Sequence, residues 1–402
     1  MKKIIVFFLI SIPIFSQQVE IKSLQVYSSN NNELPILIGK EKLNIKFDIA
    51  SDYEPNLLIR FAFCDKDWKP YDNNFLQNQS YNTEYNLWFE QIPNQSSNVR
   101  YHYKGQFPNV DVTFPFSGKW KFFVTDSNNP DIIFSEGKFY VIEPQVNVYS
   151  KLDTYRLNSS QERTNELQRT LELKVDFVLQ DSMYAMDLSH VEVIENKKVD
   201  YPIIISKTAR RGLRYYETNG ARDFTFVALD IRPGNEYRQV DLNDRNRYQP
   251  PITTAHYDGF DYNRFQQFGY PDLNGGFELV PFNDSYADYM MVEFEYSPGG
   301  FIEKDIFLVG AFNNWEVLPQ YKLSQDGNIY KVTTDLKRGI YDYQYVTGYD
   351  NGNVIDDLDW YELEGNFWET TNEYYIFVYY KSLNYGGYDQ IIGYTRIKSG
   401  RY

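Results

Sequence analysis

From Ile21 onward the chain is written almost entirely in short apolar runs with a period of two. Leu43-Asn44-Ile45-Lys46-Phe47-Asp48-Ile49 alternates apolar and polar strictly, as a strand with one face in a core must. Leu57–Cys64 is mostly apolar, as suits the middle of a sandwich. Ile21–Tyr27, Trp88-Phe89, Arg100–Tyr103, Gly118–Val124 and Phe139–Ile142 read as further strands. Asn30-Asn31-Asn32 and other Asn, Pro and Gly clusters break them. Short strands at regular spacing predict a β-sandwich over residues 18–145, with a boundary near Glu143-Pro144.

The pattern continues less regularly. Leu171–Leu179, Val191–Ile194, Ile203–Ile205, Leu213–Tyr216 and Phe224–Leu229 read as strands of a middle sandwich over 146–285. Phe260–Asp272 is aromatic-rich without a clear period and reads as a long ordered loop. Tyr289–Tyr296, Asp305–Gly310, Ile329–Val332, Tyr341–Val346, Tyr374–Tyr380 and Gln390–Ile397 make a third sandwich over 286–402, with Asp326-Gly327 as a hairpin turn. Only Glu162–Leu173 has some helical spacing, at Leu167 and Leu171, and it reads equally well as a loop entering a strand. The fold class is therefore all-β, a tandem array of immunoglobulin-like sandwiches.

The first residues predict a secretory signal over 1–17. Lys2 and Lys3 precede an apolar run, Ile4–Phe15, and the small Ser16 offers a cleavage position. That run is shorter than the roughly 20 residues a membrane helix needs, and no later stretch qualifies. The single cysteine, Cys64, forms no intrachain disulfide, and its apolar setting suits a small buried hydrophobe better than a nucleophile. Aromatic residues make up 18% of the chain, with 37 Tyr; they favour strands and interfaces. The net charge of -15 argues against nucleic acid and anionic lipid as partners, and solubility alone would explain it.

Catalytic signatures are sparse. His102, His190 and His256 fall in different segments without metal-ligand spacing. There is no nucleophile elbow, P-loop or dinucleotide fingerprint. The acidic run Asp350, Asp356, Asp357, Asp359, Glu362 and Glu364 lacks a complete calcium loop, because Tyr361 stands at the twelfth position counted from Asp350. It reads as a solvated hairpin. No cofactor is implied.

Two resemblances emerge. Gly310-Ala311-Phe312-Asn313-Asn314-Trp315, followed by Gly339-Ile340-Tyr341-Asp342-Tyr343-Gln344-Tyr345, is similar to the glycogen-binding and early-set immunoglobulin-like modules. Trp315 matches the first sugar-gripping tryptophan there, but Gln344 stands where a lysine is common and no second tryptophan follows. The likeness therefore carries the fold further than the sugar binding. The second covers nearly the whole exported chain. Phe63-Cys64-Asp65-Lys66-Asp67-Trp68, Ser117-Gly118-Lys119-Trp120, Asn129-Pro130-Asp131, Val141-Ile142-Glu143-Pro144, Gly234-Asn235-Glu236-Tyr237-Arg238, Tyr257-Asp258-Gly259, Glu364-Gly365-Asn366-Phe367-Trp368-Glu369-Thr370 and Tyr388-Asp389-Gln390-Ile391-Ile392-Gly393 occur in an order and spacing that resemble the plug protein family of the type IX secretion system of Bacteroidota. Phe63 departs from the histidine common in that family.

That resemblance implies a non-enzymatic periplasmic protein, peripheral to the outer membrane, which seals the periplasmic mouth of the outer-membrane translocon barrel. Phe260, Tyr262, Phe265, Phe268 and Tyr270 are candidate contact anchors, and packing of the loop onto its own domain is an equal alternative for them. Other readings are a periplasmic carbohydrate-binding protein using Trp315, or a glycosidase with an accessory sandwich.

Overall fold

The computed structural model describes residues 19–93, 99–156, 169–208, 212–257, 259–264, 272–352 and 354–400. The signal segment and Leu167 lie outside these residues. The first sandwich is built from β1 (Glu20–Tyr27), β2 (Ile36–Ile38), β3 (Leu43–Ala50), β4 (Leu57–Cys64), β5 (Thr83–Glu84), β6 (Phe89–Gln91), β7 (Val99–Phe107), β8 (Gly118–Asp126) and β9 (Ile133–Ile142). Its sheets run in the order β1-β3-β7-β6 and β2-β9-β8-β4-β5. The alternation predicted for β3 is realised: Leu43, Ile45, Phe47 and Ile49 all enter the core with Phe61, Trp120 and Phe139.

The second sandwich begins with β10 (Val148–Arg156), β11 (Arg169–Val178), β12 (Leu188–Glu195), β13 (Ile203–Ser206), β14 (Arg214–Asn219) and β15 (Asp223–Ile231). The chain then builds a third sandwich from β16 (Arg238–Asp241), β17 (Ile252–Thr254), β18 (Asp261–Tyr262), β19 (Phe277–Leu279), β20 (Tyr289–Ser297), β21 (Asp305–Gly310), β22 (Ser324–Asp326), β23 (Ile329–Lys337), β24 (Gly339–Asp350) and β25 (Ile355–Asp359). It finally returns to the second sandwich with β26 (Glu373–Ser382) and β27 (Tyr388–Lys398), which complete the sheet β13-β12-β26-β27 opposite β10-β11-β15-β14.

The expected division at 146–285 and 286–402 is thereby corrected. The third sandwich is an insertion within the second, and β16, β17, β18 and β19 belong to it. Sequence proximity suggests that neighbouring strands pair, which usually holds. Here β26 pairs with β12, with Val193 opposite Ile376. Leu171 lies in β11 and faces the core, so the strand alternative was right for that part of 162–173.

β26 explains its own near-continuous apolar sequence, because both of its faces are covered. Tyr374, Ile376 and Val378 enter the core of the second sandwich. Tyr375, Phe377 and Tyr379 point the other way, onto Leu34, Ile36, Trp68 and Tyr140 of the first sandwich. Tyr140 and Phe377 stack with ring centroids 4.5 Å apart. Within this apolar seam Lys119 of β8 meets Glu192 of β12 at 2.8 Å, both buried. Lys119 also donates to the Lys66 carbonyl at 2.7 Å, and the Tyr379 hydroxyl donates to Glu192 at 3.3 Å.

A second seam joins the first and third sandwiches. The Asp48 carboxylate accepts from Lys337 at 2.7 Å and Tyr289 at 2.7 Å, and lies 2.6 Å from the His102 ring nitrogen. Burial alone would raise this carboxyl, but His102, Lys337 and Tyr289 together hold it below the usual range. His102 also stacks on Phe282 at 3.9 Å.

Removing one partner of a buried ion pair strands the other in a medium that solvates it poorly, a loss of about 3–5 kcal/mol. Lys119→Met is expected to lower the thermal and urea midpoints accordingly, and Lys119→Met with Glu192→Leu to recover most of the loss. Calorimetry and urea titration of the variants check this. A single variant as stable as the parent would remove the pair from the account.

Candidate functional site

Trp315 is reached through a turn whose chemistry is legible residue by residue. Asn313 accepts from the Gly310 N–H at 2.9 Å and donates to the Leu308 carbonyl at 3.2 Å. Asn314 and Trp315 then adopt positive φ, 54° and 62°. The turn sends the indole inward. Its ring lies 4.3 Å from Tyr237, its N–H donates to the Gly275 carbonyl at 2.7 Å, and only 1% of it is exposed. Lys198 sits 5.9 Å from the ring. A sugar needs an open aromatic face, and Trp315 offers none; its edge meets only a pocket of about 80 Å³ where the three sandwiches join. Gln344 is likewise buried and donates to the Trp360 carbonyl.

Of the candidate contact residues, Phe265, Phe268 and Tyr270 lie outside the described residues. Phe260 is half-buried, Tyr262 is 57% exposed, and their rings lie 4.9 Å apart. Arg238, which the sequence reading quoted only as part of a motif, holds this segment in place. It is buried and donates to Glu364 at 2.9 and 3.1 Å, to Asp261 at 2.8 Å and to the Tyr262 carbonyl at 2.6 Å. Asp261 accepts in addition from the Tyr343 and Tyr345 hydroxyls at 2.8 and 2.9 Å. Burial would raise the Asp261 carboxyl, yet Arg238 and His256 hold it well below the usual range. Arg264 closes the arrangement by donating to the Glu236 carbonyl at 2.7 Å.

Two sequence blocks more than 120 residues apart thus form one structure. Gly234 takes a positive φ of 71° and its N–H is accepted by Asn366 at 3.0 Å. Asn235 donates to the Glu364 carbonyl at 3.2 Å. Gly365, at φ 79°, passes so close to Arg264 that a Cβ would meet its carbonyl oxygen at 2.7 Å. The signal that could have singled out Arg238 and Glu364 was opposite charge at the end of one glycine-bearing motif and the start of another.

The motif blocks 63–68, 117–120 and 388–393 gather at the seam between the first two sandwiches. Asp65 accepts from the Asp67 and Lys69 N–H groups, both at 2.9 Å, and so shapes a turn that lays Trp68 over Lys119 at 4.8 Å. Ser117 donates to the Ile391 carbonyl at 2.6 Å, and the Asp389 N–H donates to the Tyr71 hydroxyl at 2.8 Å. Cys64 is buried, and burial pushes its thiol up to about 12.

Several buried titratable groups are committed to structure. His190 stacks on Tyr379 at 4.5 Å, and burial, with Lys119 nearby, pulls it down to about 4. In the acidic run, Glu364 binds Arg238, Asp359 caps the Tyr361 and Glu362 N–H groups, and Lys304 and Lys322 pair with Asp357 and Asp350. Among the described residues no cluster of His, Cys, Asp and Glu could hold a metal. Glu236, Asp272 and Asp342 form a buried acidic group. Burial, then the Asp272 charge, raises Glu236 to about 7, and the same causes raise Asp342 to about 7.

Two expectations follow from this geometry. Trp315→Ala removes a fully enclosed ring and should destabilise by about 3–5 kcal/mol in urea unfolding; a negligible change would place the ring at the surface. A carboxyl raised in the folded state binds its proton more tightly there than in the unfolded chain. Its stabilising effect is complete below the unfolded value and is lost as pH rises through the folded value. The parent should therefore lose stability between about pH 4.5 and 7 relative to Glu236→Gln, and the two curves should run parallel above that window. Urea midpoints across pH check the slope.

Residues 21–143, the first sandwich, match the family model described as "Type 9 secretion system plug protein 1st domain". No curated protein matches the chain. Among solved structures, a crystal structure of a hypothetical protein from Parabacteroides merdae ATCC 43184 superposes with a TM-score of 0.75 at 22% identity, covering 94% of this chain and 97% of that one. At that identity the likeness concerns the fold, which extends across all three sandwiches. The resemblance read from the sequence motifs is supported by this domain match over residues 21–143.

Proposed function

We propose that the protein is a non-enzymatic periplasmic plug that binds the periplasmic opening of the type IX outer-membrane translocon barrel and seals its pore. The observation that carries this reading is the plug-domain match over residues 21–143. The construction of the molecule supports it. A pore wide enough for folded proteins also leaks small solutes, so its seal must be bulky and hold its shape. Domains within one chain move relative to one another unless their interface is large and apolar. Here the first two sandwiches share an aromatic seam and the first and third share a charged one. No helix among the described residues is long and apolar enough to cross a membrane, and the exported chain would meet the barrel from the periplasmic side. Tyr262, with Phe260 beside it, is a candidate anchor in that contact.

An affinity pull-down of the tagged chain at native expression, from gently solubilised envelopes, tests the reading. Recovery of a very large outer-membrane barrel, with loss of outer-membrane tightness when the chain is deleted, is the expected result. Recovery of no barrel, with retention on a polysaccharide column instead, would overturn it.

A further inference from the structure

Both sheets of the first sandwich end on the same side, one in β5 and the other in β6, and among the described residues no strand lies beyond either. The chain steps between these edges through Tyr85-Asn86-Leu87-Trp88. Leu87 turns inward onto the core. Its neighbours stay outside: Tyr85 is 65% exposed and Trp88 85%. Across from them, in the loop after β3, Tyr53 is 69% exposed. Between this loop and the crossover lies an open groove of about 440 Å³, with Leu57, Leu87 and Phe89 among its lining residues.

Trp and Tyr are the side chains that dominate interface energies, and a Trp held in water at a sheet edge wastes the burial its neighbour Leu87 achieves. The edge also offers main-chain groups to an incoming strand. Charge selects the occupant. Glu54 is the only charged residue lining the groove among the described residues, and exposed Glu90 follows on β6. Asp52 close by is paired with Arg100 at 3.3 Å. A second copy of this chain, itself at net charge -15, would set Glu54 and Glu90 against like charge.

We propose that this groove docks an extended basic segment of a partner protein. The segment adds to the β6 edge, seats an apolar side chain against Tyr85 and Trp88, and pairs Lys or Arg with Glu54 and Glu90. The plug reading is needed only to say whose segment it is.

The probes are the synthetic peptide Lys-Val-Lys-Phe-Lys-Val-Lys-Val and its counterpart with Glu in place of Lys, titrated calorimetrically into the purified chain. The Lys peptide binds and the Glu peptide does not. Trp88→Ala weakens binding about tenfold or more, the loss of a hot-spot side chain, while its unfolding midpoint stays at that of the parent. Glu54→Lys, a purely surface change, also weakens the Lys peptide, and N-methylation of alternate peptide amides abolishes edge addition. Failure of the Lys peptide to bind, or binding indifferent to Trp88→Ala and Glu54→Lys, overturns the inference. In the envelope pull-down, a barrel recovered equally by parent and Trp88→Ala overturns the groove as the contact and leaves the plug reading standing. A parent that recovers no barrel yet binds the Lys peptide through Trp88 overturns the plug reading and supports the groove.

Discussion

One ammonium group ties the three sandwiches together. Lys138 on β9 of the first donates to both oxygens of Asp200 in the second, at 2.8 and 2.7 Å, and to Glu316 in the third at 2.8 Å. Burial alone would drive this lysine toward its neutral form, but the two carboxylates outweigh it and raise its pKa. Burial in turn raises Glu316, although Lys138 opposes it. The arrangement is stable only when all three sandwiches are in register. A shift of any one would leave an uncompensated charge in a poorly solvated place. The apolar seams supply attraction that is nearly indifferent to sliding; the charged contacts, Lys138 with Lys119–Glu192 and Lys337–Asp48, penalise displacement.

Register matters because the topology alone would permit movement. The third sandwich is an insertion, entered after β15 and left before β26. An inserted domain on two linkers could rock as a unit. The Asn196 side chain crosses that junction to the Tyr237 hydroxyl at 3.0 Å, and Asn372 donates to the Pro233 carbonyl at 2.6 Å. These bonds bring the two linkers side by side, so entry and exit brace each other.

Legibility in the sequence followed the range of the interaction concerned. A strand announces itself locally, and β3, β4, β8 and β11 were visible because alternation is set by immediate neighbours. The strand β26 was visible too, but its meaning was not. Tyr374–Tyr380 reads as any buried strand, and nothing in those residues says that one face meets the second sandwich and the other the first. The domain division failed for the same reason, since pairing of β26 with β12 is a contact across nearly two hundred residues. Trp315 shows a further limit. Its turn reads as an early-set feature, but whether a ring at such a turn faces solvent depends on Gly275 and Tyr237, which lie far away in sequence. Conversely, Trp88 was read as a strand residue, and its exposure follows from Leu87 taking the inward position.

The same commitments bear on chemistry. Catalysis by a carboxylate or imidazole needs a group that is free to exchange a proton with a substrate it can reach. Asp48, Asp261, Glu192 and Glu364 are instead enclosed and bonded to cations or hydroxyls, and His190 is enclosed against Tyr379. The perturbed titration of Asp48, Asp261, Glu192 and His190 is therefore the mark of structural ion pairs and burial, which shift pKa values as active sites do. Aromatic groups also stand exposed at the surface: Trp88, Tyr85 and Tyr53 at one edge, and Tyr262 on the third sandwich. Aromatic groups on a body held in register by buried charge can bind a partner without reorganising, so little ordering entropy opposes the contact and few groups need to carry it. Such a contact can be lost as readily as it forms, because nothing in the fold has to change when the partner leaves.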